Sequence, residues 1–94
     1  MDEKVHDKGF KERVRKRVAG KVDMQLGKSG ITAGFLRELE ARLKRGGVVK
    51  VKVLKSFRRA TWESIDRIAE ELAGRTSSRI YEIRGFTITL IKEK

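Results

Sequence analysis

Cysteine is absent from the 94-residue sequence, which excludes disulfides, thiolate metal sites and thiol catalysis. Histidine occurs once, as His6, too little for a histidine-based metal site or a catalytic triad. Proline and asparagine are also missing and glutamine occurs once, as Gln25. The scarcity of thermolabile amides resembles heat-adapted proteins, whereas the lack of proline runs against the stiffened loops of that class. Long apolar runs are lacking as well. Stretches such as Val48-Val49 fall far short of the roughly 20 residues that a membrane span needs, and no secretory apolar segment opens the sequence. The expectation is a cytoplasmic protein without membrane contact.

Positive charge is abundant instead. Lys and Arg number 24 against 13 Asp and Glu, for a formal net charge of +11. A balance of this size points toward a polyanionic partner, and it says nothing about fold. The chain is 39% charged, but its 38% hydrophobic content falls in clear periods, which argues for a folded protein. The length predicts one domain over 1–94, a monomer with a core of its own and a start, 1–7, that frays.

Glycines at Gly20, Gly27, Gly30, Gly46-Gly47, Gly74 and Gly85 cut the sequence into elements. Phe10, Val14 and Val18 recur at i, i+4, i+8 and predict a basic helix from about Lys8 to Val18. Val22, Met24 and Leu26 alternate with Asp23 and Gln25, the period of a strand with one buried face. Thr32 is placed to cap a helix carrying Phe35, Leu36, Leu39 and Leu43 toward a core, ended by Gly46-Gly47. Val49, Val51 and Val53 then alternate with Lys50 and Lys52, a strand whose lysines lie on an uncovered face.

Thr61 is the predicted cap of a third helix with Trp62, Ile65, Ile68, Ala69 and Leu72 inward and Glu63, Asp66, Glu70 and Glu71 outward, closed by Gly74. Tyr81 and Ile83 read as a short strand, Arg84-Gly85 as a tight turn, and Phe86, Ile88 and Leu90 as the buried side of the last strand. The order is α-β-α-β-α-β-β. Two strand-helix-strand crossovers make parallel neighbours, the terminal hairpin makes the sheet mixed, and clean alternation places helices on one face only. The fold class is therefore α/β, a two-layer sandwich with a four-stranded mixed sheet.

The most informative motif is Gly27-Lys28-Ser29-Gly30, between a strand end and a helix start. Glycines permit close backbone approach, the N–H groups of a helix start favour a phosphate, and Lys28 adds a charge. An ordinary strand-to-helix turn that needs glycine for geometry alone is the competing reading. The spacing does not fit a nucleotide-triphosphate loop or a dinucleotide fingerprint. A GXXG loop that clamps a sugar-phosphate backbone is known from KH domains, where it joins two helices and not a strand and a helix.

With Leu26-Gly27-Lys28-Ser29-Gly30-Ile31-Thr32 after a strand, Phe35-Leu36-Arg37-Glu38-Leu39 on a helix, Val49-Lys50-Val51-Lys52-Val53 on the next strand and Gly85-Phe86-Thr87-Ile88-Thr89-Leu90 at the end, the sequence resembles the CRM domain, or YhbY-like family, of RNA-binding proteins over about residues 8–92. The resemblance implies a fold like the C-terminal domain of bacterial translation initiation factor three, with an added N-terminal helix and a mixed sheet in the order 1-2-4-3. Only the last strand would run against the others. It also implies association with ribosomal RNA or its precursors and pre-ribosomal particles, as for bacterial members, or with introns, as in plant organelles. The family's loop maps onto Gly27, Lys28, Ser29 and Gly30, with Thr32 behind it. Ile91-Lys92 stands where many relatives carry an aromatic followed by Arg, so the particular RNA does not carry over.

Further candidate contacts surround the loop. Lys8, Arg15 and Lys16 lie away from the first helix's apolar stripe and offer phosphate contacts or a solvated face; a membrane-surface helix is the minor alternative, because the stripe is narrow. In Lys55-Ser56-Phe57-Arg58-Arg59, read as a basic loop, Phe57 stacks a base or forms a lid over the helices, while Arg58 and Arg59 hold phosphates. Lys50 and Lys52 extend the basic surface or serve solubility. No carboxylate pair has reason to share a pocket, so no enzyme and no cofactor is predicted.

The reading is an RNA-binding protein that grips structured RNA through the glycine loop and basic surface, in ribosome maturation or RNA chaperoning. Two rivals share its size and charge: a nucleic-acid-coating chromatin protein of the archaeal Alba type, disfavoured by the first helix and the glycine loop, and a protein-interaction subunit of a ribonucleoprotein, using the acidic side of the third helix. About five phosphate contacts would give a log-log salt dependence of RNA affinity with a slope of roughly −3.5 to −4.5. A salt titration of RNA binding checks this, and a slope near zero would refute the electrostatic basis.

Overall fold

Leu39 and Leu43 lie on one side of a helix, and Phe35 and Leu36 widen the apolar stripe. In the computed structural model, which describes residues 21–93, this segment is helix α1, Ala33–Gly46. Its start is capped by Thr32, whose side-chain oxygen accepts a hydrogen bond from the Phe35 N–H at 3.0 Å. Its end is closed by Gly47 in the left-handed region, φ 80°, whose N–H donates to the Leu43 carbonyl at 2.8 Å. Both ends are those the sequence predicts. The helix expected over Lys8 to Val18, with Lys8, Arg15 and Lys16, lies outside the described residues.

The sheet is built from β1 (Met24–Leu26), β2 (Val48–Val53), β3 (Ser78–Arg84) and β4 (Thr87–Lys92). Its order is β1-β2-β4-β3. β1 and β2 are parallel, and β4 is antiparallel to both of its neighbours, β2 and β3. β1 is shorter than the predicted strand because Asp23 replaces the ladder at its start: its N–H donates to the Lys50 carbonyl, and its carboxylate accepts from the Lys50 N–H, each at 2.9 Å.

Register divides the sheet faces. Val49 pairs with Leu90 and Val51 with Ile88, and these four pack with Leu26, Val53, Leu39, Leu43 and the helix α3 residues (Ile65–Gly74) Ile68, Ala69 and Leu72 into one buried cluster. The described long helices therefore layer on one sheet face. The other face is not open throughout, as predicted from the lysines, but divided. Lys52 is exposed and Lys50 partly buried, whereas the apolar cross-strand pair Val48 and Ile91, together with Thr89, is buried on that side.

The region between β2 and α3 departs most from the sequence reading. Lys55–Thr61 is a short helix, α2, and not a loop. Thr61 ends it instead of capping the next helix. The cap of α3 is Ser64, whose hydroxyl accepts from the Arg67 N–H at 3.2 Å, with Asp66 favourably placed in the first turn. Trp62, expected in the core, is 89% exposed, because the chain turns through it in a left-handed conformation before α3 begins. Gly74 is the last residue of α3 but not a left-handed stop. The helix end is tied down by Thr76, whose buried hydroxyl bonds the Leu72 carbonyl at 2.7 Å and lies 2.8 Å from the Ser78 hydroxyl.

In the hairpin, Arg84 pairs with Thr87, leaving Gly85-Phe86 as a two-residue turn. Gly85 has φ 61°, the first-position requirement of a type II′ turn. Phe86 thus sits at the turn tip, half-exposed, and not on the buried side of β4. Pairing steps from Ile80 with Leu90 to Glu82 with Thr89, which leaves Tyr81 as a bulge. The extra residue lets Ile80 and Ile83, three apart, both pack against the core, while Tyr81 turns outward. The corrected cap gives a test: in urea denaturation Ser64→Ala is expected to lose about 1 kcal/mol, and Thr61→Ala a few tenths at most.

Candidate nucleic-acid interface

The carboxyl ends of β1 and β2 lie side by side, and the two segments leaving them meet. The Leu54 N–H donates to the Leu26 carbonyl at 2.9 Å, which fixes the start of α2 beside the start of the glycine loop. Within the loop the Gly30 N–H returns to the Gly27 carbonyl at 2.9 Å, closing a four-residue turn with Lys28 and Ser29 at its exposed tip. Neither tip residue has positive φ, as in a type I turn, whose fourth position favours glycine. The Thr32 N–H then donates to the Gly30 carbonyl at 3.1 Å, and Thr32 opens α1. The concavity so formed is about 400 Å³, bounded by the loop, Gln25, Gly34 and Phe35.

The two glycines serve different needs. A Cβ at Gly27 would lie 3.2 Å from Leu54 Cδ1 and 3.7 Å from Ser56 Oγ, so this position is tight against the entry to α2. At Gly30 the nearest atom to such a Cβ would be Phe57 Cε1 at 3.7 Å, an ordinary contact, and φ of 78° is the constraint there. Phe57 therefore lies under the loop and packs against the core.

Charge is concentrated where these segments meet. Residues 26–34 and 54–62 contain Lys28, Lys55, Arg58 and Arg59, four cations and no carboxylate. Lys28, Lys55 and Arg59 are exposed. Arg58 is engaged: its guanidinium lies 3.5 Å over the Phe86 ring, and its buried Nε has no hydrogen-bond partner. The hairpin tip is held there because the Val53 N–H donates to the Phe86 carbonyl at 2.7 Å. This cation-π stack joins α2 to the hairpin and is worth roughly 0.5–1 kcal/mol.

Lys50 and Lys52 project from the sheet face opposite α1 and α3. Gln25, Lys52, Thr87 and Arg84 form one cross-strand row on that face, and Gln25 also borders the loop concavity. Lys52 is thus at the loop end of the sheet, whereas Lys50 is one row farther away, beside Thr89 and Glu82. The structure brings Gly27, Lys28, Ser29, Gly30, Thr32, Phe57, Arg58 and Arg59 into one neighbourhood. Lys8, Arg15 and Lys16 lie outside the described residues. Among those described, no three His, Asp or Glu side chains gather as a metal-holding group, and no helix is long and apolar enough to cross a membrane.

The sequence reading placed Lys55 in a basic segment without giving it a contact, and it did not bring Arg84, Phe86 or Trp62 to this end of the molecule. Lys55 and Arg84 carried no signal beyond charge. For Trp62 the signal was Ser64 followed by Asp66, a better helix start than Thr61 and one that leaves the tryptophan outside. A thermal melt tests the loop geometry. Gly30→Ala is expected to lose about 1 kcal/mol through left-handed strain, and Gly30→Asn less, since asparagine tolerates that region.

Comparison with known proteins places this geometry in a family. The solution structure of a hypothetical protein from Staphylococcus aureus, described as a candidate RNA-binding protein, is similar with a TM-score of 0.65 at 24% identity, covering 89% of this chain and 84% of that one. At that identity the likeness concerns the fold. No curated protein matches the sequence. The profile of the CRS1/YhbY (CRM) domain matches residues 7–92, nearly the whole sequence. The chain belongs to the CRS1/YhbY (CRM) domain family.

Proposed function

We propose that the protein grips the phosphate backbone of structured RNA at the junction of the Gly27–Gly30 loop and α2, and that it acts in the cytoplasm, as a monomer, on ribosomal RNA or its precursors, in ribosome maturation or as an RNA chaperone. Membership in an RNA-binding domain family supports RNA as the partner class. So does the likeness to a structure described as that of a candidate RNA-binding protein.

The observation that carries the site assignment is the acid-free convergence of Lys28, Lys55 and Arg59 around a glycine turn that opens a 14-residue helix. A phosphate entering there meets mobile cations on two sides and the unshared N–H groups of the first turn of α1, which is free of acidic residues. Each contact displaces condensed counterions, so affinity and salt dependence rise together. Lys52 and Arg84, around the sheet edge, offer the backbone a continuation.

Lys28→Ala is the direct test, made on a ribosomal RNA hairpin with duplex DNA as competitor. The variant is expected to fold as the parent does by circular dichroism, bind several-fold more weakly near physiological salt, and show a salt slope smaller by about one. Wild-type affinity and slope in this variant would remove Lys28 from the interface. Equal displacement by duplex DNA would argue for general polyanion coating instead.

A further inference from the structure

Trp62 is a residue whose position folding does not explain. Its side chain is 89% exposed. Its backbone has φ of 59°, where glycine or asparagine is usual and a bulky residue is an outlier. The sole tryptophan of the chain is therefore spent on a position that adds nothing to the core and strains the main chain. Outliers of this kind concentrate where a binding site holds them.

The surroundings of the ring restrict what it meets. The backbone N–H of Trp62 donates to the Arg58 carbonyl at 3.3 Å, so Trp62 closes α2, the helix that carries Lys55, Arg58 and Arg59 and lies under the glycine loop through Phe57. A polyanion that follows the loop and then α2 arrives at the indole. Among the described residues, its sequence neighbours from Arg59 to Ser64 are small, polar or charged; of the other large exposed apolar side chains, Tyr81 stands on the hairpin strand, and Phe86 at the hairpin tip has one ring face covered by the Arg58 guanidinium. A protein interface would call for a continuous apolar surface, whereas one planar ring beside cations suits a nucleobase. Bases inside an A-form stem are stacked on both faces, so a ring that stacks on a base is served by an unpaired one beside the stem.

Resting on the RNA-binding reading above, we propose that Trp62 is a stacking platform for an unpaired nucleobase beside the gripped phosphates, so that the protein prefers RNA in which a bulge or single-stranded extension borders a stem. The test uses the full chain and two labelled RNA duplexes, each of two complementary strands with the same paired sequence, one blunt and one with an unpaired purine extension. RNA anisotropy reports binding. The emission of Trp62 reports contact, since no other tryptophan contributes.

Both RNAs are expected to bind, the extended one more tightly, and only the extended one should quench the indole and shield it from acrylamide. Trp62→Ala should lower affinity for the extended RNA about tenfold and leave affinity for the blunt duplex unchanged, with Trp62→Phe restoring most of the loss. Trp62→Gly, which suits the left-handed backbone, should melt no lower than the parent yet bind the extended RNA as weakly as Trp62→Ala. Binding of the extended RNA without any change in Trp62 emission or acrylamide access would overturn the proposal and leave the RNA-binding reading standing. Equal loss on both RNAs, or an emission shift with protein concentration alone, which would place the ring between two copies, would overturn it likewise. Failure of both RNAs to change anisotropy would overturn the RNA-binding reading and the proposal with it.

Discussion

At the carboxyl ends of β1 and β2 the chain leaves the sheet twice in close proximity, and the two exits have to share one small space. The bond from the Leu54 N–H to the Leu26 carbonyl sets that spacing. With it in place, a side chain at Gly27 would crowd Leu54, Phe57 lies beneath Gly30, and Lys28 and Ser29 are left exposed at the turn. The cations of two segments remote in sequence become neighbours for this reason and not by mutual attraction, which like charges would oppose. Core packing thus supplies the work of holding a basic surface together.

Much of this was legible in the residues. β2 declares its faces through strict alternation of valine and lysine, and α1 announces both of its ends through Thr32 and Gly47. Family resemblance added the sheet order, which local patterns cannot specify. What stayed hidden has physical reasons. α2 contains a single core contact, Phe57, so its seven residues have no apolar period to read. Trp62 falls in phase with Ile65 and Ala69, and only the competition between Thr61 and Ser64 as cap decides that it lies outside the helix. Ile80 and Ile83 violate alternation because a bulge intervenes, and a bulge leaves no mark in hydropathy. Of the site itself, the glycine loop could be located, but its union with α2 depends on tertiary spacing.

Among the described residues, carboxylates are unevenly spread between α3 and the loop end. Asp66 and Glu70 are exposed on α3, and Arg75 is paired with Glu71 at its end. The loop and α2 lack carboxylates altogether. A polyanion near the loop and α2 meets no carboxylate from those two segments, and their attraction reaches over a Debye length of about 8 Å in physiological salt. Glu38 and Arg42, joined at 2.8 Å on α1, cancel each other locally and leave that field largely unaltered.

The bulge at Tyr81 has a consequence for how such proteins coexist in a crowded cell. Among the described residues, the outer strands in the order β1-β2-β4-β3 are β1 and β3, and an outer strand is a template for pairing with another chain. β1 spans only three residues, too little for a durable ladder. β3 is longer, but the bulge at Tyr81 bends the strand, with Arg79 and Arg84 on either side of it. A second molecule laid along it would find its register interrupted and its approach opposed by guanidinium groups. One inserted residue that lets two isoleucines reach the interior therefore also blunts the sheet against growth into fibres.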